Sequence, residues 1–113
     1  MSHWVLVTYT RPNTETPWFN LSAEASALIE TLKDDDIVNP SIEVYQKAES
    51  TDGLKQYFKV AHRDTAAAEA LLGNAVYLAN EAARTNYLST TGTTCVIDQF
   101  NENEPVINLG VGD

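Results

Sequence analysis

Three strand-like segments of this chain carry large apolar side chains on both of their alternating faces, so the sheet they build must be sheltered from water on both sides. The first, His3 to Thr10, alternates Trp4, Leu6 and Thr8 with His3, Val5, Val7 and Tyr9, and stops at the turn signal Arg11-Pro12-Asn13. Two others, Leu54–His62 and Thr93–Phe100, are apolar or aromatic in both sets in the same way. A fourth segment, Ser41–Lys47, follows Asn39-Pro40, which resets the backbone to extended geometry. Simple alternation there sends Ile42 and Val44 one way and Glu43, Tyr45 and Lys47 the other. The Ser50-Thr51-Asp52-Gly53 cluster joins this strand to the next as a hairpin.

Two helices punctuate the strands. Ser22 caps the first, whose Leu21, Ala25, Leu28, Ile29 and Leu32 fall on one face and which ends in the acidic run Asp34-Asp35-Asp36. Asp64 caps the second, expected from Thr65 to about Arg84, with Ala68, Leu71, Leu72, Ala75, Ala79 and Ala82 as its buried stripe. Its opposite stripe, Glu69, Gly73, Tyr77, Asn80 and Arg84, is mostly polar and is assigned to solvent. Tyr87 to Gly92 reads as a polar connector, and Val106–Leu109 as a short edge strand in an otherwise loose tail. The order β-α-β-β-α-β is that of the ferredoxin-like plait. This α+β fold is a four-stranded antiparallel sheet, strand order 4-1-3-2, with both helices on one face. At 113 residues the chain makes one domain, with its core over about 3–100 and a tail over 101–113.

Two helices cover one face only, and a bare apolar face exceeds what a soluble monomer tolerates. Pairing two such sheets across a two-fold axis removes it, so a homodimer is expected, burying roughly 1,200–2,000 Å² in total. With Phe58 and Val60 assigned to the helix side, Tyr45, Tyr57 and the set His3, Val5, Val7 and Tyr9 are placed on the free side, with Cys95 and Ile97.

Here the chain resembles the dimeric α/β-barrel superfamily. His3-Trp4-Val5-Leu6-Val7 looks like the opening of stress-responsive barrel proteins. Val5-Leu6-Val7 followed by Arg11-Pro12 is similar to cofactor-free monooxygenases of antibiotic biosynthesis, although Pro12-Asn13 stands where Pro-Gly is common. The resemblance implies two stacked sheets that hold a small, mostly apolar or aromatic molecule between them.

Charge and composition narrow the alternatives. Seven basic against sixteen acidic residues give a net charge of −9, which repels phosphate backbones and anionic lipid, so neither nucleic acid nor membrane is an expected partner. A single cysteine, Cys95, excludes an iron–sulfur cluster or a zinc-thiolate site within one chain and suits a reducing, cytoplasmic setting. No Walker loop, dinucleotide fingerprint or Ser-His-Asp order is present, and no cofactor or metal is expected.

The candidate ligand-binding residues are His3, Tyr9, Trp18, Tyr45 and Tyr57. Tyrosine hydroxyls orient a polar atom inside an apolar pocket, and they equally suit interface packing. Trp18 and Phe19 either lid one mouth of the barrel or anchor their loop to the first helix. His3 and His62 lie at the same end of the sheet, but alternation assigns them to opposite faces, which argues against a shared site. Catalytic residues stay unassigned. Three functions remain open: a small-molecule binder, a cofactor-independent monooxygenase or isomerase, and a non-catalytic dimerisation module.

Overall fold

The computed structural model describes residues 2–34, 38–101 and 103–107. Its elements are β1 (His3–Thr10), α1 (Ala23–Leu32), β2 (Ile42–Glu49), β3 (Lys55–His62), α2 (Thr65–Leu72), α3 (Ala75–Thr91) and β4 (Thr94–Asn101). All pairings are antiparallel and the strand order is β2-β3-β1-β4. The ferredoxin-like plait and the expected strand order are therefore both found. The Ser22 hydroxyl accepts from the Ala25 N–H, and the Asp64 carboxylate from the Ala67 N–H, so both expected caps form. The core centres on Ile29 of α1, Ile42 of β2 and Val60 of β3, with Leu21, Leu32 and Tyr45 packed against it.

The second helix differs from expectation. It breaks at Gly73-Asn74, where the Asn74 side chain accepts from the Val76 N–H and caps a new helix. That helix then runs through Tyr87–Thr91 to Gly92, whose left-handed backbone (φ 76°) ends it. Because the break resets the helical phase, one continuous stripe is not buried. Ala67, Ala68 and Leu71 are buried in α2, whereas Leu72, Ala75, Ala79 and Ala82 are exposed. In α3 the polar stripe turns inward instead, and Asn80 is only 3% exposed.

The faces of the sheet also differ from expectation. Residues directly opposite in an antiparallel pair share a face, and β1 places Val5 against Val60 and Val7 against Phe58. The set His3, Val5, Val7 and Tyr9 therefore lies under the helices, and Cys95 and Ile97, opposite Tyr9 and Val7, lie there too. In β2 the register shifts between Ile42 and Val44. This irregularity keeps Ile42 on the helix side, opposite His62, and brings Tyr45 and Lys47 to the same side, opposite Val60 and Phe58. Val44 goes to the other face, opposite Ala61. Tyr57 remains on the free face, as expected, with Trp4 and Leu6.

That free face is less bare than the sequence suggests. Lys59 sits over the Trp4 ring, 5.5 Å from its centroid, and pairs with Glu104 of the tail at 3.2 Å. Trp4, Tyr57, Ala61 and the tail's Pro105 are buried in the single chain, while Val96 is 53% and Val106 88% exposed. Residues 103–107 form no strand; Asn108, Leu109 and Gly110–Asp113 lie outside the described residues, as do Asp35 and Asp36 of the acidic run.

Candidate functional site

A cavity of about 320 Å³ lies between the sheet and the helices, within one chain. Its floor is built by alternate residues of the strands: Val5, Val7 and Tyr9 of β1, Phe58, Val60 and His62 of β3, and Ile42, Tyr45 and Lys47 of β2. The roof comes from Ser26 and Ile29 of α1, Leu71 of α2, and Tyr77, Asn80 and Arg84 of α3. Leu21, Asn20 and Phe19 close one side. The size and the apolar lining with few polar groups are those of a small-molecule site. The enclosed apolar space thus lies on the helical side of the sheet, not on the face expected to meet a partner.

Several polar groups of the cavity gather at one end. The Arg84 side chain is only 13% exposed and has Glu81, one turn earlier, at 3.7 Å. Its guanidinium stands beside the hydroxyls of Tyr9 and Tyr77 and near the Cys95 thiol. Burial pushes Tyr9 up to about 12, against the opposing pull of Arg84. Burial likewise raises Tyr45, Tyr77 and the Cys95 thiol. Near neutral pH these hydroxyls are therefore protonated donors and the thiol is uncharged, and Arg84 is the cation beside Tyr9, Tyr77 and Cys95.

The aromatic wall at this end is continuous. Phe19 packs between Tyr9 and Tyr87, with ring centroids 6.5 and 5.5 Å away, and Phe58 meets Tyr9 edge-on at 5.9 Å. The Tyr87 hydroxyl donates to the Pro17 carbonyl and holds the loop down. Asn80 Oδ1 accepts from the Ser22 N–H at 3.0 Å, which ties α3 to the start of α1.

At the opposite end of the sheet β1 pairs His3 directly with His62. The two rings share the helical face, contrary to the opposite-face expectation, because the register sets them squarely opposite one another. His3 is committed: its Nδ1 lies 2.7 Å from Asn101 Oδ1 and its Nε2 2.8 Å from Gln99 Oε1. A shared metal site would need one of those nitrogens. His62 is 5% exposed, and its Nδ1 has no hydrogen-bond partner among the described residues. Burial, helped by His3 nearby, lowers it to about 4, so the ring is neutral at pH 7.

Of the five candidate ligand-binding residues, the structure brings Tyr9 and Tyr45 to the cavity. His3 lies on the same face but is occupied by Asn101 and Gln99. Tyr57 lies on the other face of the sheet. Trp18 is a loop anchor: Arg11 stacks on its ring at 4.1 Å and its Nε1 donates to Glu49 at 3.2 Å. Phe19, not Trp18, forms the cavity wall. The sequence reading missed Arg84, Tyr77 and Asn80 because it assumed an unbroken helix. The Gly73-Asn74 pair, a helix stop followed by a cap residue, was the available signal.

No protein-family model matches the chain, and no curated protein matches it. Solved structures do. A protein of Deinococcus radiodurans, described provisionally as an antibiotic biosynthesis monooxygenase, matches with a TM-score of 0.54 at 14% identity, over 96% of this chain and 99% of that one. SnoaB, a cofactor-independent oxygenase from Streptomyces nogalater, matches with a TM-score of 0.54 at 11% identity, over 95% and 98%. A second provisionally described antibiotic biosynthesis monooxygenase, from Caulobacter crescentus, gives 0.54 at 17% identity, over 91% and 92%. At these identities the likeness is one of fold: the chain shares its ferredoxin-like α+β fold with these structures.

Proposed function

We propose that the protein binds a flat, largely apolar molecule with an acidic oxygen in the cavity between sheet and helices, and oxidises it with O2 without a cofactor. The observation that carries this reading is Arg84, a mostly buried cation beside tyrosine hydroxyls at one end of a largely apolar, aromatic-walled space. Two structural neighbours described as monooxygenase or cofactor-independent oxygenase support it.

Without a cofactor, the electrons delivered to O2 have to come from the substrate. A methylene acidified by a conjugated carbonyl loses a proton to water and becomes an anion with its charge on oxygen. Arg84 and the Tyr9 hydroxyl stabilise that charge in a low-dielectric space, where preorganised donors act most strongly. The anion passes an electron to O2, and the resulting pair combines into a peroxide at the former methylene carbon. Protonation and loss of water leave a carbonyl, so that CH2 + O2 gives C=O + H2O. No protein group changes oxidation state.

The chain acts as a homodimer in this reading, paired through the face that carries Val96, 53% exposed in the single chain. Anthrone, a flat tricycle whose methylene is acidified by its carbonyl, tests the chemistry. Oxygen uptake with stoichiometric anthraquinone is expected, and Arg84→Leu lowers the rate at least about 100-fold. Binding without oxygen uptake reduces the protein to a ligand carrier. Failure to bind anthrone or its hydroxylated relatives sinks the cavity reading. Sedimentation velocity at micromolar concentration tests the dimer, and a monomer there overturns that part.

A further inference from the structure

In a chain of sixteen acidic and seven basic residues, a cation with no carboxylate beside it is the exception. Five of the seven are paired: Arg11 with Glu49, Lys33 with Glu30, Lys59 with Glu104, Arg63 with Asp64 and Arg84 with Glu81. Lys47 and Lys55 make no ion pair among the described residues, and of these two only Lys47 lines the cavity. Among the described residues no aspartate or glutamate lines it. Lys47 stands on the edge strand β2 opposite Phe58, and its ammonium lies 5.8 Å from the centroid of the Phe58 ring. Edge lysines ordinarily reach for solvent and deter pairing with other sheets; this one leans over the cavity floor. Phe58 also meets Tyr9 edge-on at 5.9 Å and Tyr45 at 6.1 Å, so its ring is a platform between the Arg84–Tyr9 end and Lys47. With β3 between them, β1 and β2 stand two strand spacings apart, roughly 10 Å. A fused aromatic ring system with a polar group at each end has that reach.

We propose that the cavity takes an aromatic carboxylic acid: its rings lie on Phe58, its acidic ring oxygen meets Arg84 and Tyr9, and its carboxylate meets Lys47 at the open edge of the sheet. This rests on the reading that the cavity binds a small molecule at Arg84. A lone ammonium matches a singly charged carboxylate, whereas a phosphate dianion calls for several donors at once. The net charge of −9 repels anions at long range, so an acid is drawn in only by the local field of the cavity, whose charged lining residues, Arg84 and Lys47, are both cations. A neutral ring compound gains the same platform and the same Arg84 but leaves the ammonium to water. Lys47 is thereby a specificity-determining residue that selects among ligands already held at Arg84, and it takes no part in the oxygen step.

A matched pair of probes separates this from the cavity reading itself: 1,8-dihydroxyanthraquinone-3-carboxylic acid and its 3-hydroxymethyl counterpart, which share rings and hydroxyls and differ in the one charge. Titration calorimetry on the full chain should give a roughly threefold to tenfold preference for the acid. That preference should shrink as salt rises from about 0.05 M to about 0.5 M. Lys47→Gln should erase it while changing affinity for the hydroxymethyl compound less than about twofold. Lys47 is exposed and makes no ion pair among the described residues, so its removal leaves the fold in place. Lys47→Arg should retain the preference. Lys55→Gln, which removes the same unit of charge outside the cavity, should leave it unchanged. Equal affinity for the two compounds, a preference that survives in Lys47→Gln, or one lost as fully in Lys55→Gln overturns the role of Lys47 and leaves the cavity reading intact. If neither compound binds, the cavity reading falls and this inference falls with it.

Discussion

The two helices that follow β3 are consecutive in sequence, yet they treat the sheet in opposite ways. α2 turns Ala67, Ala68 and Leu71 inward, and these small or apolar groups let it lie close to the strands. α3 turns Tyr77, Asn80 and Arg84 inward and leaves Leu78 49% exposed. A helix that buries its polar stripe and exposes a leucine gives up hydrophobic stabilisation of its own. α2 thus gives the cavity roof one apolar side chain, Leu71, while α3 gives it Tyr77, Asn80 and Arg84.

This contrast is best broken by mutation. Leu71→Ala in α2 should cost the most, about 2–5 kcal/mol by urea denaturation, because it empties a buried site. A loss below about 1 kcal/mol would show that α2 is no more structural than α3. The pH response at the other end of the cavity comes next. His62 has its folded pKa lowered from 6.5 to about 4, so the unfolded chain binds the proton more readily. Stability tied to this group is present above pH 6.5 and is lost as pH falls toward 4. Between pH 7 and pH 5 this amounts to about 2 kcal/mol, read as the difference between the wild type and His62→Phe; equal pH responses in the two would refute it. Asn74→Ala should cost about 1 kcal/mol through the lost cap of α3. Smallest in stability is Arg84→Leu, expected within about 1 kcal/mol of wild type, since an apolar side chain there replaces a mostly buried cation and removes its desolvation cost along with its 3.7 Å pair to Glu81. A collapse of the fold in that variant would make α3 a structural element after all.

The sequence was most readable where local chemistry decides structure. His3-to-Thr10 sits at its expected bounds, both expected caps form, and the strand order follows from the order of elements. It was least readable where register decides. The irregularity between Ile42 and Val44 moves Tyr45 across the sheet, and no residue there announces a bulge by composition. The face of β1 depended on its pairing with β3, a non-local fact that alternation within one strand leaves undetermined. Arg84 was misassigned for a different reason: the break at Gly73-Asn74 resets the helical phase, so a polar stripe that one continuous helix would turn to solvent lines a cavity here. Such violations of the binary pattern are expected where a protein builds a site.

One residue outside the cavity governs its aromatic end. Arg11 donates from Nε to the Gly53 carbonyl at 2.7 Å and from Nη1 to the Thr16 carbonyl at 2.8 Å, while lying over Trp18 and 3.6 Å from Glu49. The segment carrying Phe19 and the reversal between β2 and β3 are consequently clasped by the same planar group. The wall that Phe19 supplies is thereby braced from behind by the hairpin tip, through a side chain that itself touches none of the cavity.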